Sequence, residues 1–413
     1  MSLIQPFAGL RPAPGRAAEV AAPPYDVMNA EEARAMVEGR PLSFLHISRP
    51  EVDLLLETDP YAPEVYAKAR ENLERMIAAG VMVRDPAPHY YGYRLTMGRH
   101  VQTGLVAAAS VAAYDAGRIK KHEFTRPVKE DDRVRQIDVL DAQTGPVFLV
   151  YRATAAIDAV LKRVSAAAPE VDFTAPDGVR HELWAIADRP TIDGLTTAFA
   201  ALDSLYVADG HHRSAAASRV TAARRADNPN HTGEESYNWF LSVIFPHDQM
   251  QILPYNRLVR DLHGHSPKSL LEHLATRFTV EAIQQPLQPT TRGQFGMYLD
   301  GQWYRLTLNP ELIPAHDPVG RLDVSLLQDN LIAPLLGITD PRRDDRIDFV
   351  GGIRGLAPLS ERVDSGEMAI ALSLHPTSME ELMAVADSGE VMPPKSTWFE
   401  PKLADGLASH VLD

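Results

Sequence analysis

Hydrophobic positions along this chain follow two spacings, one typical of helices and one typical of strands. Helical spacing is clearest over Tyr61–Ala79, where Val65, Ala69 and Leu73 recur and Gly80 stands at the position of a C-terminal cap. Shorter apolar runs, bounded by proline, glycine or charged residues, predict strands. The predicted helices span residues 29–38, 61–79, 155–167, 214–226, 267–277, 322–336 and 378–386. The predicted strands span residues 42–47, 147–151, 181–187, 204–208, 239–245, 347–350 and 369–374, and two hairpins turn at 97–98 and 300–301.

This mixture of elements predicts an α+β (mixed α/β) fold of mixed sheets with surrounding helices. We expect three regions: an N-terminal α/β region (1–150), a central region (151–265) and a C-terminal α/β region (266–413). Two predicted helices carry local start signals, because Asn29 can cap the first helix, and Ser378 and Glu381 have capping-box spacing.

Composition excludes several classes of site and partner. The chain has no cysteine, so disulfides, iron–sulfur clusters and zinc–thiolate sites are excluded, and no haem or flavin is expected. The formal charge of −14, from 41 basic and 55 acidic residues, disfavours nucleic acid as a partner. The sequence shows no secretory signal and no apolar stretch long enough for a membrane span, so we expect a cytoplasmic protein without membrane contact. The oligomeric state is left open.

The strongest candidate site is the turn Asp209–Arg213, where an apolar strand passes through a glycine into an alanine-rich helix. The first amides of a helix have no intrahelical acceptor and can bind an anion, and arginine offers a fork of donors to phosphate. We predict Gly210, His211 and Arg213 as phosphate- or substrate-binding residues, and Asp209 and His212 as catalytic residues. The alternative is an ordinary helix start whose histidines pack or face water.

A second candidate is a highly charged segment in the first third of the chain. We predict His122 and Glu123 as catalytic proton-transfer groups, and Arg126 and Lys129 as phosphate- or substrate-binding residues. Pro127 is expected to break a helix between two clusters of charge and so to fix a loop. The alternative is a solvated face with local ion pairs.

A third candidate lies near the C-terminus at Lys395, Ser396 and Thr397. This triplet is similar to the end of a phosphate-binding P-loop, but prolines replace the glycines of that motif, so we exclude a P-loop. We predict the three residues as phosphate- or substrate-binding groups of a segment that closes over a site. The alternative is that Trp398 and Phe399 only anchor the C-terminus on the core. The fingerprints of Rossmann dehydrogenases, zincins and α/β-hydrolases do not occur in the sequence.

Seven sequence blocks in order resemble a bacterial and archaeal family catalogued as domain of unknown function ten-fifteen; they include KKHEFTRPVKEDDR, ADGHHR and MPPKSTWFEPKL. That resemblance spans nearly the whole chain and implies no activity. Asp209, Gly210, Arg213 and Ala216 are also similar to the D-G-x-x-R-x-x-A signature of the ParB/sulfiredoxin-like superfamily, which includes free-serine kinases. The similarity implies a strand-turn-helix that holds nucleotide phosphate, with Asp209 near a metal or hydroxyl. The upstream acid of such kinases has no matching motif here, and Glu123 takes that role on chemical grounds alone.

These patterns favour a phosphotransferase or phosphate-ester enzyme that acts on a small metabolite, with serine or phosphoserine as the first candidates. Mg²⁺ and a nucleotide are the expected cofactors, and a small phosphorylated metabolite or nucleotide is the expected partner. Two alternatives stay open. One is a non-catalytic regulatory protein that binds a nucleotide or metabolite, and the other is a metal-dependent hydrolase that uses His211, His212 and Asp209, although adjacent residues are poor ligands for one ion.

Overall fold

The structure is a computed structural model, and it describes residues 2–412. The strands are β1 Ile4–Gln5, β2 Gly9–Pro12, β3 Met82–Arg84, β4 Tyr90–Met97, β5 His100–Ser110, β6 Ile119–Lys120, β7 Ala142–Gln143, β8 Val147–Tyr151, β9 Val171–Thr174, β10 Arg180–Ile186, β11 Leu205–Asp209, β12 Trp239–Pro246, β13 Gln251–Leu253, β14 Tyr255–Val259, β15 Phe278–Ile283, β16 Gln294–Leu299, β17 Gln302–Leu308, β18 Ile347–Gly351, β19 Ile370–Leu374, β20 Trp398–Glu400 and β21 Ser409–Val411. The helices are α1 Ala17–Val20, α2 Ala30–Val37, α3 Leu45–Ser48, α4 Pro63–Ala78, α5 Val111–Asp115, α6 Pro127–Leu140, α7 Ala155–Val164, α8 Arg189–Ala200, α9 His211–Asp227, α10 Pro267–Leu274, α11 Asp323–Leu327, α12 Ala333–Leu336, α13 Ala357–Asp364 and α14 Met379–Ser388.

The chain forms two compact units. The first unit comprises Met1–Met250 and Pro401–Asp413, and the second comprises Gln251–Glu400. The boundaries between these units follow residues 250 and 400, whereas the sequence predicted boundaries after residues 150 and 265. Residue 150 falls inside β8, which pairs with β11 and β12 of one sheet. Residue 265 falls between β14 and α10, which both belong to the second unit.

The first unit is built on a nine-stranded mixed sheet with the order β6-β11-β8-β12-β5-β4-β10-β9, in which β1 also pairs with β5. Strand β11 is parallel to β6 and antiparallel to β8, and β8 is parallel to β12. The core of this unit includes Leu105, Leu149, Phe199 and Ile244, all fully buried. A smaller antiparallel sheet with the order β3-β2-β21-β7 incorporates the C-terminal strand β21 into the same unit.

The second unit contains a six-stranded antiparallel sheet with the order β15-β17-β16-β19-β14-β18. Strands β13 and β20 pair separately in an antiparallel ribbon. The core of the second unit includes Leu258, Tyr298, Trp303 and Met368. None of the helices within residues 2–412 has the length and hydrophobicity needed to span a lipid bilayer.

The structure confirms the α+β class and many of the local predictions. The helix predicted over 61–79 is α4, and Gly80 follows it with a φ of 67°. The predicted caps of α2 and α14 are complete capping boxes, since Asn29 accepts from the Glu32 amide and Ser378 from the Glu381 amide. The first hairpin turns as expected, with Met97 opposite His100.

One predicted strand is a helix in the structure, because burial on every side hides its period, and one helix was missed. Residues 42–47 were expected to form a strand, but α3 begins within them. Phe44, Leu45 and Ile47 are all buried, so this run has no exposed face that could separate a helix from a strand. Helix α8, at Arg189–Ala200, was not predicted.

Proline explains two further differences. Pro127 begins helix α6 and does not break a helix, because the first position of a helix needs no amide donor. The helix expected over 322–336 is interrupted by a π-helical turn at Gln328–Ile332. Pro334 follows this turn, and it has no N–H to donate to the carbonyl of residue 330.

Candidate functional site

The turn between β11 and α9 is the centre of the candidate site. Gly210 has a φ of 95°, a left-handed conformation that glycine adopts at little cost. Helix α9 begins at His211, and within the described chain no side chain caps its first amides. Asp209 Oδ1 instead accepts the N–H of Gly210 at 2.9 Å. The amides that follow can therefore donate to an acceptor outside the helix.

Arg213 lies in the first turn of α9, and its guanidinium is buried among polar groups. Its Nη1 donates to the carbonyl of Pro146. Its Nη2 lies 3.6 Å from Asp209 Oδ2 and 4.0 Å from Asp26 Oδ2. Burial alone would lower the pKa of Arg213, but the carboxylates of Asp26 and Asp209 raise it, so Arg213 stays charged. Its Nε finds no hydrogen-bond partner among residues 2–412, and a buried donor of this kind marks a place for a water or ligand.

The C-terminal segment contributes two more charged groups to the turn. Lys402 Nζ lies 3.4 Å from Asp209 Oδ2. Burial by itself would raise the pKa of Asp209, but Lys402 and Arg213 hold the pKa below its ordinary value, so Asp209 is ionised. Asp405 is also close to Arg213, and burial raises the pKa of its carboxyl to about 7.

An internal cavity of about 30 Å³ lies beside Arg213 and Asp405, and Tyr25, Arg133 and Gly145 also line it. A cavity of this size accommodates about two water molecules. A ligand the size of a nucleotide would therefore lie outside it.

The charged segment docks on the start of α9 through two backbone amides. The N–H of His122 donates to His211 Nε2 at 3.5 Å, and the N–H of Arg126 donates to His212 Nε2 at 3.0 Å. Both rings therefore accept at Nε2 and carry their proton on Nδ1. Burial lowers the pKa of both His211 and His212, so the rings are neutral at pH 7.

His122, Glu123 and His211 form a compact cluster beside this docking point. The rings of His122 and His211 are perpendicular, with centroids 4.5 Å apart. His211 Nδ1 lies 3.7 Å from Glu123 Oε2. Burial lowers the pKa of His122 to about 4, although a hydrogen bond to the Val207 backbone opposes this shift. The other ring nitrogen has no hydrogen-bond partner within residues 2–412. The cluster thus presents two neutral imidazoles and one half-exposed carboxylate.

Arg126 and Lys129 lie on the exposed side of the charged segment. Lys129 Nζ donates to the hydroxyl of Tyr61 at 3.1 Å, whereas the backbone of Arg126 makes the contact with His212 described above. The structure therefore places Arg126 next to the turn by its main chain, and its role as a phosphate binder stays a prediction.

Lys395, Ser396 and Thr397 belong to the second unit, where the first two make local contacts. Lys395 Nζ donates to the hydroxyl of Tyr255 at 3.4 Å, and Ser396 Oγ donates to the carbonyl of Pro393 at 2.6 Å. A phosphate-binding role for the triplet stays a prediction.

Sequence reasoning did not identify Asp26, Lys402 or Asp405 as site residues. A signal for Asp26 was present, because it follows two prolines and a tyrosine that fix a turn. Lys402 and Asp405 carry no local signal, since only the return of the C-terminal segment to the first unit brings them to Asp209 and Arg213.

Comparison with solved structures gives remote similarities. A free serine kinase variant in complex with AMP is 13% identical, with a TM-score of 0.36, over 73% of this chain and 92% of that chain. SbnI with a C-terminal truncation, from Staphylococcus aureus, is 13% identical, with a TM-score of 0.38, over 73% of this chain and 85% of that chain. A conserved hypothetical protein from Pyrococcus furiosus is 13% identical, with a TM-score of 0.33, over 73% of this chain and 94% of that chain.

No curated protein matches the chain. The model of the family described as "Protein of unknown function (DUF1015)" matches residues 4–325, which is more than half of the sequence. The chain therefore belongs to this family of proteins of unknown function.

Proposed function

We propose that the first unit is a phosphotransferase or phosphate-ester enzyme that acts on a small metabolite, and that its reaction takes place at the turn between β11 and α9. The observation that carries the proposal is the docking of the charged segment on the start of α9, through the amides of His122 and Arg126. This docking joins an anion-binding helix start to groups that can transfer a proton.

The phosphate-binding half of the proposal rests on the uncapped amides of α9 and on Arg213. Positive charge from the helix dipole and from the guanidinium stabilises negative charge on a transferring phosphoryl group. His212 adds an Nδ1–H donor, because its Nε2 accepts from the Arg126 amide. We therefore assign His212 to binding, since a ring that already accepts at Nε2 and is protonated at Nδ1 is a poor proton acceptor.

Glu123 is the group best suited to accept a proton from a substrate hydroxyl. Its side chain is half-exposed, and it lies 3.7 Å from His211 Nδ1, the nitrogen that carries the proton of that ring. His211 would thus orient the carboxylate toward the turn. A positioned carboxylate of this kind contributes about 100- to 10,000-fold to a rate.

Mg²⁺ fits the oxygen ligands at the turn. Asp26 and Asp209 both lie within 4.0 Å of one nitrogen of Arg213, and both are partly exposed. Carboxylate oxygens, together with phosphate oxygens, are the ligands that Mg²⁺ prefers. When bound, the ion would neutralise charge on a nucleotide phosphate. Asp26 and Asp209 would hold it.

A direct test measures phosphate release and nucleotide consumption with serine and with phosphoserine, each with and without Mg²⁺. We expect turnover in the wild type, a loss of about 100-fold or more in Glu123→Gln with ligand binding retained, and weaker phosphate binding in His212→Ala. The exposed residue His316 gives a matched control, because His316→Ala removes an imidazole from the second unit. Unchanged turnover in both site variants would refute the assignment. Tight nucleotide binding by calorimetry without any turnover would instead support a regulatory protein.

A further inference from the structure

We propose that His122, Glu123 and His211 bind one divalent transition-metal ion, such as Mn²⁺ or Zn²⁺. Each residue offers one ligand atom, and these three atoms all lie within 4.8 Å of one another. The proposal does not rest on the phosphoryl chemistry above, because the three ligands need no phosphate to assemble.

The distances suit a single ion. Zinc binds imidazole nitrogen and carboxylate oxygen at about 2.0–2.2 Å, so two ligand atoms on one tetrahedral ion lie about 3.4 Å apart. His211 Nδ1 and Glu123 Oε2 are 3.7 Å apart. An ion on Nδ1 requires the ring proton to move to Nε2, so the metal-bound form loses the 3.5 Å hydrogen bond from the His122 amide. The other two separations are at most 4.8 Å, so each closes to about 3.4 Å with a shift of at most about 1.4 Å, shared between the Glu123 side chain and the two imidazole rings.

The buried ring of His122 points to a ligand independently. His122 is 2% exposed. One ring nitrogen has the Val207 carbonyl as its hydrogen-bond partner, and the other has no partner within residues 2–412. Unsatisfied buried polar groups are rare in folded proteins because each one loses the hydrogen bonds that it made with water. An ion would satisfy the unpartnered nitrogen. The hydrogen bond of the other nitrogen to the Val207 carbonyl is of the kind that orients metal-bound histidines.

The donor set also selects the metal. Two imidazoles and one carboxylate favour first-row transition metals, whereas Mg²⁺ requires oxygen ligands in a near-octahedral arrangement. This site is therefore distinct from the oxygen ligands of Asp26 and Asp209. A Glu123 carboxylate that binds the ion cannot accept a substrate proton at the same time, so metal occupancy and proton transfer by Glu123 exclude each other.

The test titrates the full-length, chelator-treated protein with Mn²⁺, Zn²⁺ or Mg²⁺ by calorimetry, without nucleotide or substrate. Visible absorption of bound Co²⁺ reports the ligands separately from any activity. We expect one ion per chain, with Mn²⁺ and Zn²⁺ bound much more tightly than Mg²⁺. Glu123→Gln should lower the affinity at least about tenfold, and His211→Ala should change the Co²⁺ spectrum, whereas His316→Ala should leave both unchanged.

Glu123→Gln keeps the test decisive even where a histidine variant fails to fold, because the Glu123 side chain is half-exposed. Equal affinity for Mg²⁺ and Zn²⁺, or unchanged affinity in Glu123→Gln, would overturn the proposal. Since binding is measured without turnover, a failed metal site and a failed phosphoryl activity are told apart.

Discussion

The substitution Gly210→Ala probes the turn most directly, because it alters the backbone and the position of Arg213 together. An alanine forced into the left-handed region costs about 1–2 kcal/mol, and Gly210 has a φ of 95°. A Cβ at this position would also lie 2.9 Å from Arg213 Nε. Arg213 is buried and bonded to the Pro146 carbonyl, so it can yield only by giving up that contact.

Gly233 provides a matched control for the backbone cost. Its φ is also 95°, yet a Cβ there would meet nothing within 4 Å. Both variants should lose about 1–2 kcal/mol of stability from the backbone, which lowers Tm by several degrees. Gly210→Ala should lose more than Gly233→Ala, because its Cβ also displaces Arg213. Only Gly210→Ala should weaken ligand binding. Loss of a charge-assisted hydrogen bond from Arg213 to phosphate costs about 1.5–3 kcal/mol, or about 10- to 150-fold in affinity.

The assay is a calorimetric titration of the wild type and both variants with inorganic phosphate and with ATP. Wild-type affinity in a folded Gly210→Ala protein would refute the placement of phosphate at the α9 start. An equal loss of affinity in Gly233→Ala would also refute it, because that glycine contacts no part of the site.

Three further predictions concern stability. Burial raises the pKa of Asp323 to about 7, so the folded state binds more protons than the unfolded state, and stability should fall by about 1–3 kcal/mol as pH rises from about 4 to about 7. Asp323→Asn should remove the part of this fall that Asp323 contributes in urea unfolding, while keeping an acceptor for the Gly293 amide. The part contributed by Asp405, whose pKa burial also raises to about 7, should stay. Ser378→Ala removes a capping box and should cost the second unit about 0.5–2 kcal/mol in the same assay, whereas Ser388→Ala, at the other end of α14, should cost less. Lys402→Met should destabilise the first unit by up to about 1 kcal/mol, and the difference should shrink in 1 M salt if it arises from the ion pair with Asp209.

Elements with local signals were predictable from the sequence. Helix α4 and the first hairpin follow from spacing and turn residues within their own segments, and the cap at Asn29 needs only its neighbour three residues later. Helix α3 was not predictable, because its residues are buried on every side and the surrounding fold decides their conformation.

The candidate site was also predictable only where its residues carry local signals. Asp209 and Arg213 are neighbours along one strand-turn-helix, and the types of residue in the charged segment suggested that it would join them. Lys402 had no such signal, since it is separated from Asp209 by 193 positions in the chain. Contacts of this length depend on the complete fold, and a single sequence does not record them.

The balance of charge at the turn explains why we expect a phosphate to bind there together with a cation. Asp26, Asp209 and Asp405 surround one guanidinium, and one ammonium, from Lys402, approaches Asp209. Asp405 offsets part of the negative charge by holding its proton up to a pH of about 7, since burial raises its pKa to about 7. A bare phosphate would still add negative charge beside the carboxylates of Asp26 and Asp209. A divalent ion shared between those carboxylates and the phosphate removes this conflict and leaves Arg213 to stabilise the charge that develops during transfer.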